Sequence, residues 1–232
     1  MRMVTLSIPV TALALCLGAA QLSAQQPGSS NFQWFIGGQG GVINFKTIEG
    51  RQTVPLGGAH MLITGRRTGL LLSVEQGFGS NEQGVYTLQT TDASNQLVDQ
   101  QAVGVSFSNI RKYSAMLVVL PIRGPASPFF GIGVGILHTS NHTPDDDFTR
   151  AMGSSGFGSL LGGLNFQISR FSAFGQYQIT TGPAEQVLTH RFSDGSKMTA
   201  FGNLYTGETH TFSAGLRFSL GNARERPTSG GY

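Results

Sequence analysis

Apolar side chains alternate with small or polar ones along most of this chain, in units of about ten residues separated by turn-forming residues. In residues 130–136 one face holds only Phe, Ile and Val, and the other holds only Gly. In residues 212–220 one face is Phe, Ala, Leu, Phe and Leu, whereas the other is Ser, Gly, Arg and Ser. A period of two places successive side chains on opposite faces of a β-strand, so the pattern predicts an all-β chain.

The less apolar face of these strands indicates which environment they occupy. A soluble sandwich would carry Lys, Glu and Thr on that face, toward water. Here it carries mainly Gly, Ser, Gln and Asn with few charges, which suits a narrow lumen in which side chains pack against one another. The apolar face then points to lipid. This arrangement predicts a closed transmembrane β-barrel, because a bilayer leaves no strand edge unpaired.

Eight strands are predicted, at residues 33–45, 56–65, 69–78, 103–121, 127–138, 157–168, 171–179 and 209–220. Tight connections are predicted at 66–68, 123–126 and 169–170, and long ones at 46–55, 79–102, 139–156 and 180–208. Short periplasmic turns and long outer loops are typical of outer-membrane barrels. We therefore predict an eight-stranded antiparallel barrel with both termini on the periplasmic side.

Two of the long connections contain strand patterns of their own. Asp194-Gly195 is a dipeptide typical of tight β-hairpins, and alternating segments flank it. A second hairpin is predicted to turn near residues 92–95. Protruding outer hairpins are thus expected at 79–102 and 180–208.

An alternative interpretation makes residues 185–192 and 197–205 two further membrane strands, giving a ten-stranded barrel. In that case either His190 or Arg191 would face lipid near the midplane, where an Arg costs about 2–4 kcal/mol. The eight-stranded barrel is therefore favoured.

Composition excludes several other classes of protein. Gly accounts for 33 of the 232 residues, and each interior Gly weakens a helix by about 1 kcal/mol relative to Ala, so a helical bundle is disfavoured. The single cysteine, Cys16, excludes a disulfide scaffold and a zinc site built on cysteines. The formal net charge is only +3, and the basic residues are scattered rather than clustered, so no nucleic-acid partner is predicted.

The N-terminal segment has the layout of a secretory signal peptide, with one basic residue, an apolar run and then small residues before a cleavage site after Ala24. A lipoprotein site at Cys16 is disfavoured because the preceding Leu15 is too large. The predicted organisation is a signal peptide at 1–24, an N-terminal linker at 25–31, a barrel at 32–220 and a disordered tail at 221–232. We therefore expect export through the periplasm to the outer membrane of a Gram-negative bacterium.

Three segments resemble the small eight-stranded outer-membrane β-barrels built like OmpX and the transmembrane domain of OmpA. They are residues 35–41, 128–135 and 212–220. The family's assembly signal is usually a C-terminal aromatic residue, but here Phe218 is followed by a tail that ends in Tyr232. The resemblance implies that the outer-membrane assembly machinery is a partner and reads either Phe218 or Tyr232. The architecture itself is shared by adhesins, narrow pores and lipid enzymes.

Side chains on the less apolar face are predicted to fill the lumen, as expected of an eight-stranded barrel. The predicted inward residues are His60, Thr64, Ser73, Glu75, Ser114, Asn165, Gln167, Gln176, Gln178, Ser213 and Arg217. Glu75 and Arg217 are the two charges placed in the middle and lower lumen. Because an unpaired buried charge is costly, they are predicted to form a charge pair, as a structural plug or as a gate for ions.

The most specific motif is His138-Thr139-Ser140-Asn141, where a strand emerges into the outer leaflet. It is similar to the His-x-Ser-Asn motif of outer-membrane lipid A deacylases. That resemblance implies that His138 would activate the Ser140 hydroxyl for attack on a lipid ester, with a carboxylate, for example from residues 145–147, orienting the His. We expect this pair not to form, since Asn141 begins a loop and Ser140 should lie past the last regular strand residue.

The remaining candidates concern lipid and ions. Arg111 and Lys112 are placed high on their strand, where they could contact lipopolysaccharide phosphates or form a solvated surface pair. His138, His142 and the aspartates at 145–147 could bind a divalent cation, but solvated loop acids are favoured, so no metal or other cofactor is predicted.

The favoured function is that of a non-enzymatic envelope protein whose outer hairpins make structural or surface contacts. The partners expected are outer-membrane lipid and lipopolysaccharide, with an unidentified host or cell-surface ligand also open. The alternatives are a lipid A deacylase-like hydrolase that uses Ser140 and His138, and a narrow passive pore.

Overall fold

The computed structural model describes residues 31–122, 124–183 and 185–224. The predicted signal peptide, nearly all of the linker and residues 225–232 of the predicted tail lie outside the described residues. In chain order, the elements are β1 (Asn31–Thr47), β2 (Gly50–Thr64), β3 (Thr68–Thr91), β4 (Leu97–Val119), β5 (Ala126–Ser140), α1 (Asp147–Met152), β6 (Ser154–Ile168), β7 (Phe171–Thr180), β8 (Gln186–Arg191), β9 (Lys197–Asn203) and β10 (Thr206–Arg224).

Eight of these strands close into a barrel. Their order around the wall is β2, β1, β10, β7, β6, β5, β4 and β3, and pairing of β2 with β3 completes the ring. Neighbouring strands are antiparallel, with ladders such as Leu56↔Gly77 to Thr64↔Gly69 between β2 and β3. The predicted eight-stranded antiparallel barrel is confirmed. β8 and β9, the two strands of the ten-stranded alternative, lie outside this ring.

The outward face of the barrel is an apolar band. On β5 the side chains of Phe130, Ile132, Val134 and Ile136 are 55–66% exposed, while the buried residues of this strand point inward. Aromatic residues lie toward both ends of the band, as in membrane barrels. They are Phe32, Trp34, Phe166, Phe171 and Phe218 near the short turns, and Tyr113, Tyr177 and Phe212 toward the other end. The exposed face therefore has the chemistry of a lipid-facing surface.

Directly above this band the outward positions become polar and charged. We call this ring the outer rim; its residues are Lys46, Arg51, Arg111, His138, Ser154, Glu208 and His210. On β5 the change occurs within one period of two residues, from Ile136 to His138. The outer rim therefore lies where the apolar part of a bilayer would end.

The lumen is packed in layers. A lower apolar cluster consists of Phe35, Leu62, Leu71, Met116, Val118, Phe129, Leu161 and Phe174. An upper apolar cluster contains Ile43, Phe45, Val54, Leu56, Val105, Phe107, Ile110, Leu137, Phe157 and residues of the outer connections. Between them lies a polar belt with Gln39, His60, Ser73, Glu75, Lys112, Ser114, Ser159, Gln178, Thr211 and Ser213. The polar belt therefore lies between two apolar clusters.

β3 and β4 continue well beyond the ends of their neighbours in the barrel. The β4–β5 ladder ends at Asn109↔Ser140, but the β3–β4 ladder runs on to Thr91↔Leu97. The hairpin formed by β8 and β9 adds to the free edge of β3. We call this four-stranded sheet the outer blade; it comprises residues 82–91, 97–107, 186–191 and 197–203. The predicted hairpins thus pair with each other in one sheet.

The connection between β5 and β6 closes the outer end of the barrel. Asp146 caps α1 by accepting a hydrogen bond from the backbone N–H of Thr149 at 2.7 Å. Met152 of this helix is fully buried in the upper apolar cluster, and Phe148 packs against the same cluster. Within the described ranges, no helix is long and apolar enough to cross a membrane.

Several strand ends differ from the prediction. Residues 46–55 were expected to form a long connection, but β1 and β2 extend until Thr47 pairs with Gly50, so only a tight turn remains. β10 continues to Arg224, four residues past the predicted strand end at 220. For β1 and β2 the cause is physical, because their polar ends form a regular backbone ladder that needs no apolar face.

Candidate functional site

The polar belt holds a buried ion pair between β3 and β4. Lys112 and Glu75 are opposite each other in the ladder, and Lys112 Nζ lies 2.5 Å from Glu75 Oε2. The ammonium also donates to Gln178 Oε1 at 2.8 Å and to Thr211 Oγ1 at 3.0 Å. Gln39 Nε2 donates to the other carboxylate oxygen. Lys112 and Glu75 are both 1% exposed, so the belt compensates two fully desolvated charges.

Two sequence predictions need correction here. Lys112 was predicted to be a lipopolysaccharide contact, but it has the same parity as Ser114 and is buried in the lumen. Glu75 and Arg217 both point inward as predicted. They do not form the predicted pair, because Lys112 takes the position opposite Glu75 in the neighbouring strand.

Arg217 lies on β10 among different partners. Its Nε donates to His60 Nε2 at 2.9 Å, and Nη1 lies 3.4 Å from Asn165 Oδ1. The guanidinium carbon is 3.8 Å from the centre of the Phe174 ring and 5.4 Å from that of Phe129. Aromatic faces and neutral acceptors thus surround this cation.

At the outer rim, His138 and Ser140 share the outward face of β5, but they are not hydrogen-bonded to each other. β5 remains regular through Ser140, contrary to our expectation that the strand ends earlier. His138 Nδ1 instead lies 2.5 Å from the hydroxyl of Ser154, its direct neighbour on β6. The His138–Ser140 pair that the deacylase-like alternative requires is therefore absent, as expected, and His138 contacts Ser154 instead.

The acidic residues near this pair have other partners. Asp145 and Asp147 each lie 3.1 Å from the Arg150 guanidinium, and Asp146 caps α1. Among the described residues, no carboxylate lies within 4.0 Å of a His138 ring nitrogen. A hydroxyl and an imidazole are present at this point of the rim without the acid that orients the imidazole in a catalytic triad. Nor does any group of three His, Cys, Asp or Glu in the described ranges form a metal site.

On the opposite side of the outer rim, a chain of hydrogen bonds crosses four strands. Tyr177 Oη lies 2.6 Å from His210 Nδ1, and Glu208 Oε1 lies 3.5 Å from His210 Nε2. The same oxygen of Glu208 lies 2.8 Å from Arg51 Nη2, and Arg51 donates in turn to Asn44 at 2.8 Å. Hydrogen bonds to its own backbone and to Arg51 hold the pKa of Glu208 below its usual range. These hydrogen bonds fix the outward polar side chains of β7, β10, β1 and β2 relative to one another.

Arg111 keeps the outward position that was predicted for it. Its guanidinium is exposed at the outer rim, and Nε donates to Gln76 Oε1 at 3.0 Å. Lys46, opposite Arg51 in the β1–β2 ladder, is also exposed and outward. The rim therefore presents cations immediately above the apolar band.

The outer blade has one buried face and one exposed face. Tyr86, Val105, Phe107 and Ala200 on the buried face belong to the upper apolar cluster. The opposite face, which we call the lateral face, carries rows of amide and hydroxyl side chains. Gln89 donates to Gln100 at 3.2 Å, Thr189 and Thr199 lie 3.2 Å apart, and Gln83 donates to Ser106 at 2.9 Å. Beside these rows lies an apolar row in which Val187 is 58% exposed opposite Phe201.

Glu82 is buried at the base of the blade, outside the membrane-spanning segments. Its ionisation is expected to make the stability of the blade depend on pH. Burial and the nearby Glu49 raise the pKa of Glu82 above its usual value. The folded state therefore favours the protonated acid, and stability falls as the pH rises through that raised pKa. We expect Glu82→Gln to slow amide hydrogen exchange in β3 and β9 at pH 8 and to change little below pH 4, where the carboxyl is protonated in both states.

Glu49→Gln is the matched control for Glu82→Gln, because it removes only the neighbouring charge and should give part of the same effect. Equal exchange rates for Glu82→Gln and the wild type at pH 8 would show that this carboxylate does not destabilise the blade.

Two important residues were missed at the sequence level, for different reasons. The inward position of Lys112 was available from the sequence, because it is two residues from Ser114, which was predicted to point inward. Ser154 had no such signal. Its position opposite His138 depends on the register across the connection that contains α1.

No protein-family model matches the sequence. No curated protein matches it either. Among solved structures, Neisserial surface protein A is similar with a TM-score of 0.49 and 8% identity, covering 80% of this chain and 96% of its own. The outer membrane protein OprG from Pseudomonas aeruginosa has a TM-score of 0.47 and 10% identity, covering 82% and 98%.

A third similar structure is that of Ail, the attachment invasion locus protein of Yersinia pestis. It has a TM-score of 0.35 and 14% identity, covering 82% of this chain and 100% of its own.

Proposed function

We propose that this chain is an outer-membrane protein whose outer surface binds lipopolysaccharide. We propose further that its lumen does not conduct ions. The observation that carries the proposal is the outer rim, where outward cations lie immediately above a closed apolar band. Lipid headgroup phosphates are located at this depth, and guanidinium and ammonium groups are the side chains that bind them. Lys46, Arg51 and Arg111 would make these contacts.

The lateral face of the blade supports the same proposal. The lateral face lies above the lipid-facing wall of β3 and β4. At that height the sugars of lipopolysaccharide would surround the protein. Amide and hydroxyl side chains offer both donors and acceptors, which match the hydroxyl groups of a saccharide. The low charge of these rows fits a neutral sugar surface better than an acidic or basic protein partner.

The proposal is tested with vesicles that differ in one component. The full chain is refolded into phosphatidylcholine vesicles with and without lipopolysaccharide, and its thermal unfolding midpoint is measured by gel migration. Lipopolysaccharide is expected to raise the midpoint. The double variant Lys46→Gln, Arg111→Gln should lower that increase by about 2–4 °C, since each exposed charge contact contributes up to about 1 kcal/mol.

The matched control removes two arginines from the periplasmic turns, as Arg67→Gln, Arg170→Gln. Both residues are exposed at the opposite end of the barrel, and the net charge changes equally. The control should retain the full lipopolysaccharide effect. An equal loss in both double variants, or no effect of lipopolysaccharide on the wild type, would refute the proposed contact.

A lipid-ester hydrolase is the second candidate, and it is favoured by the His138–Ser154 hydrogen bond at the outer rim. In this candidate Ser154, not Ser140, is the nucleophile. We expect no hydrolysis, because the described residues provide no carboxylate to orient His138. Mass spectrometry of lipid A from cells expressing the wild type or Ser154→Ala decides the question, with Ser140→Ala as the matched control. Loss of an acyl chain with the wild type and Ser140→Ala, but not with Ser154→Ala, would establish the enzyme instead.

A further inference from the structure

A cavity of about 220 Å³ lies at the periplasmic end of the lumen. The lower apolar cluster forms one wall through Leu71, Val118 and Phe129, and Asn165, Ser172 and Arg217 contribute polar groups. This volume would hold about seven water molecules at ~30 Å³ each, which is the size range of a small organic molecule. Neither the rim contacts nor the blade uses this cavity.

Arg217 brings an uncompensated positive charge to the cavity. The residue is 3% exposed, and among the described residues no carboxylate lies within 4.0 Å of its guanidinium. His60 does not compensate this charge, because an imidazole is either neutral or positive. It accepts the Arg217 Nε–H through Nε2, so its ring is neutral with the proton on Nδ1. Lys112, by contrast, has the Glu75 carboxylate as its counter-charge.

A second observation concerns Ser172, which faces Arg217 directly in the β7–β10 ladder. Its side chain is 2% exposed and lines the same cavity, and its hydroxyl has no hydrogen-bond partner among the described residues. Buried polar groups are satisfied in most native structures. The Ser172 hydroxyl and the Arg217 guanidinium therefore indicate that a negatively charged hydrogen-bond acceptor binds in this cavity.

We propose that this cavity binds a small carboxylate that carries a short hydrocarbon or aromatic group. The planar guanidinium fork matches the two oxygens of a carboxylate, and the Ser172 hydroxyl can donate a further hydrogen bond to it. The apolar wall formed by Leu71, Val118 and Phe129 accommodates the hydrocarbon part. Inorganic phosphate has the charge but no group for this wall, so it fits less well.

The test uses the full chain in a non-ionic detergent, with sodium benzoate as the probe. Benzyl alcohol is the neutral molecule of similar size, and inorganic phosphate is the anion without a hydrocarbon part. Binding is followed through the Arg217 Nε–Hε signal in NMR spectra and by calorimetry. Benzoate should bind at least about tenfold more tightly than benzyl alcohol, because a charge-assisted hydrogen bond contributes a free energy of this size. Phosphate should not saturate the site.

Ser172→Ala should weaken benzoate binding by about three- to tenfold, the contribution of one hydrogen bond. Ser213→Ala is the matched control, because Ser213 is also buried with an unpartnered hydroxyl in the described part of the chain but does not line the cavity. It should bind benzoate like the wild type. Arg217→Gln should abolish binding, and heat-modifiable gel migration reports whether that variant folds.

Equal affinity for benzoate and benzyl alcohol would overturn the proposal, as would equal effects of Ser172→Ala and Ser213→Ala. Phosphate binding as tightly as benzoate would overturn the hydrocarbon-bearing class of ligand. The two serine variants decide the outcome even if Arg217→Gln fails to fold.

Discussion

Replacing Lys112 by methionine is expected to lower the free energy of unfolding by about 3–5 kcal/mol, because it leaves the Glu75 carboxylate buried without its cation. The pair lies in the polar belt of the lumen, where Lys112 also donates hydrogen bonds to Gln178 and Thr211. Unfolding in lipid vesicles can be followed through Trp34, the single tryptophan of the chain. The double variant Glu75→Gln, Lys112→Met should recover most of the lost stability, since no unpaired charge remains.

Arg111→Met is the matched control for Lys112→Met. It removes the same charge one residue away, but from the outward face of the rim, where an exposed contact contributes up to about 1 kcal/mol. If Lys112→Met and Arg111→Met were equally stable, the charge at position 112 would not be buried in the lumen, and the register of β4 would need revision.

Gly41→Ala should prevent or strongly weaken closure of the barrel at the β1–β10 seam, with a loss of about 3 kcal/mol or more. A Cβ atom at this inward position would lie 1.9 Å from the Phe212 carbonyl oxygen and 2.8 Å from Ser213 Cα. Both are backbone atoms of the neighbouring strand, which cannot move aside without breaking the ladder. Heat-modifiable gel migration measures the folded fraction directly.

The outward glycines of the same strand provide the controls for Gly41→Ala. A Cβ at Gly38 or at Gly40 would have its nearest contact at 3.8 Å, an ordinary van der Waals distance. Gly38→Ala and Gly40→Ala should therefore fold like the wild type. If Gly41→Ala were folded to the same extent as these two, the close approach of β1 and β10 would be wrong.

Alternation within each strand was enough to predict the two faces of the wall. Ser73, Glu75 and Arg217 are buried in the lumen as their parity requires, while Leu160 and Leu216 are 59% and 62% exposed on the lipid side. The reason is physical, because a closed barrel between lipid and a narrow lumen leaves each side chain only two directions. Most of the fold could therefore be predicted without knowing which residues meet.

The partners of the buried charges could not be predicted in the same way. They depend on register, and β3 and β4 are joined by a long outer hairpin in which residues 79–81 lie opposite a single residue of β4. Counting back from the predicted turn therefore does not place Glu75 opposite Lys112. The His138–Ser154 contact depends similarly on the connection between β5 and β6. Sequence patterns specify faces, whereas irregular outer connections set the register.

The proposed function requires contact through the outer surface and a lumen that does not conduct ions. Single-channel recording in planar bilayers that contain the refolded chain tests this most directly. The packed apolar layers and the compensated Lys112–Glu75 pair predict no current steps for the wild type across the voltage range in which the bilayer itself is stable. Reproducible steps whose conductance changes in the Lys112→Met variant would contradict the account and establish a pore through the lumen.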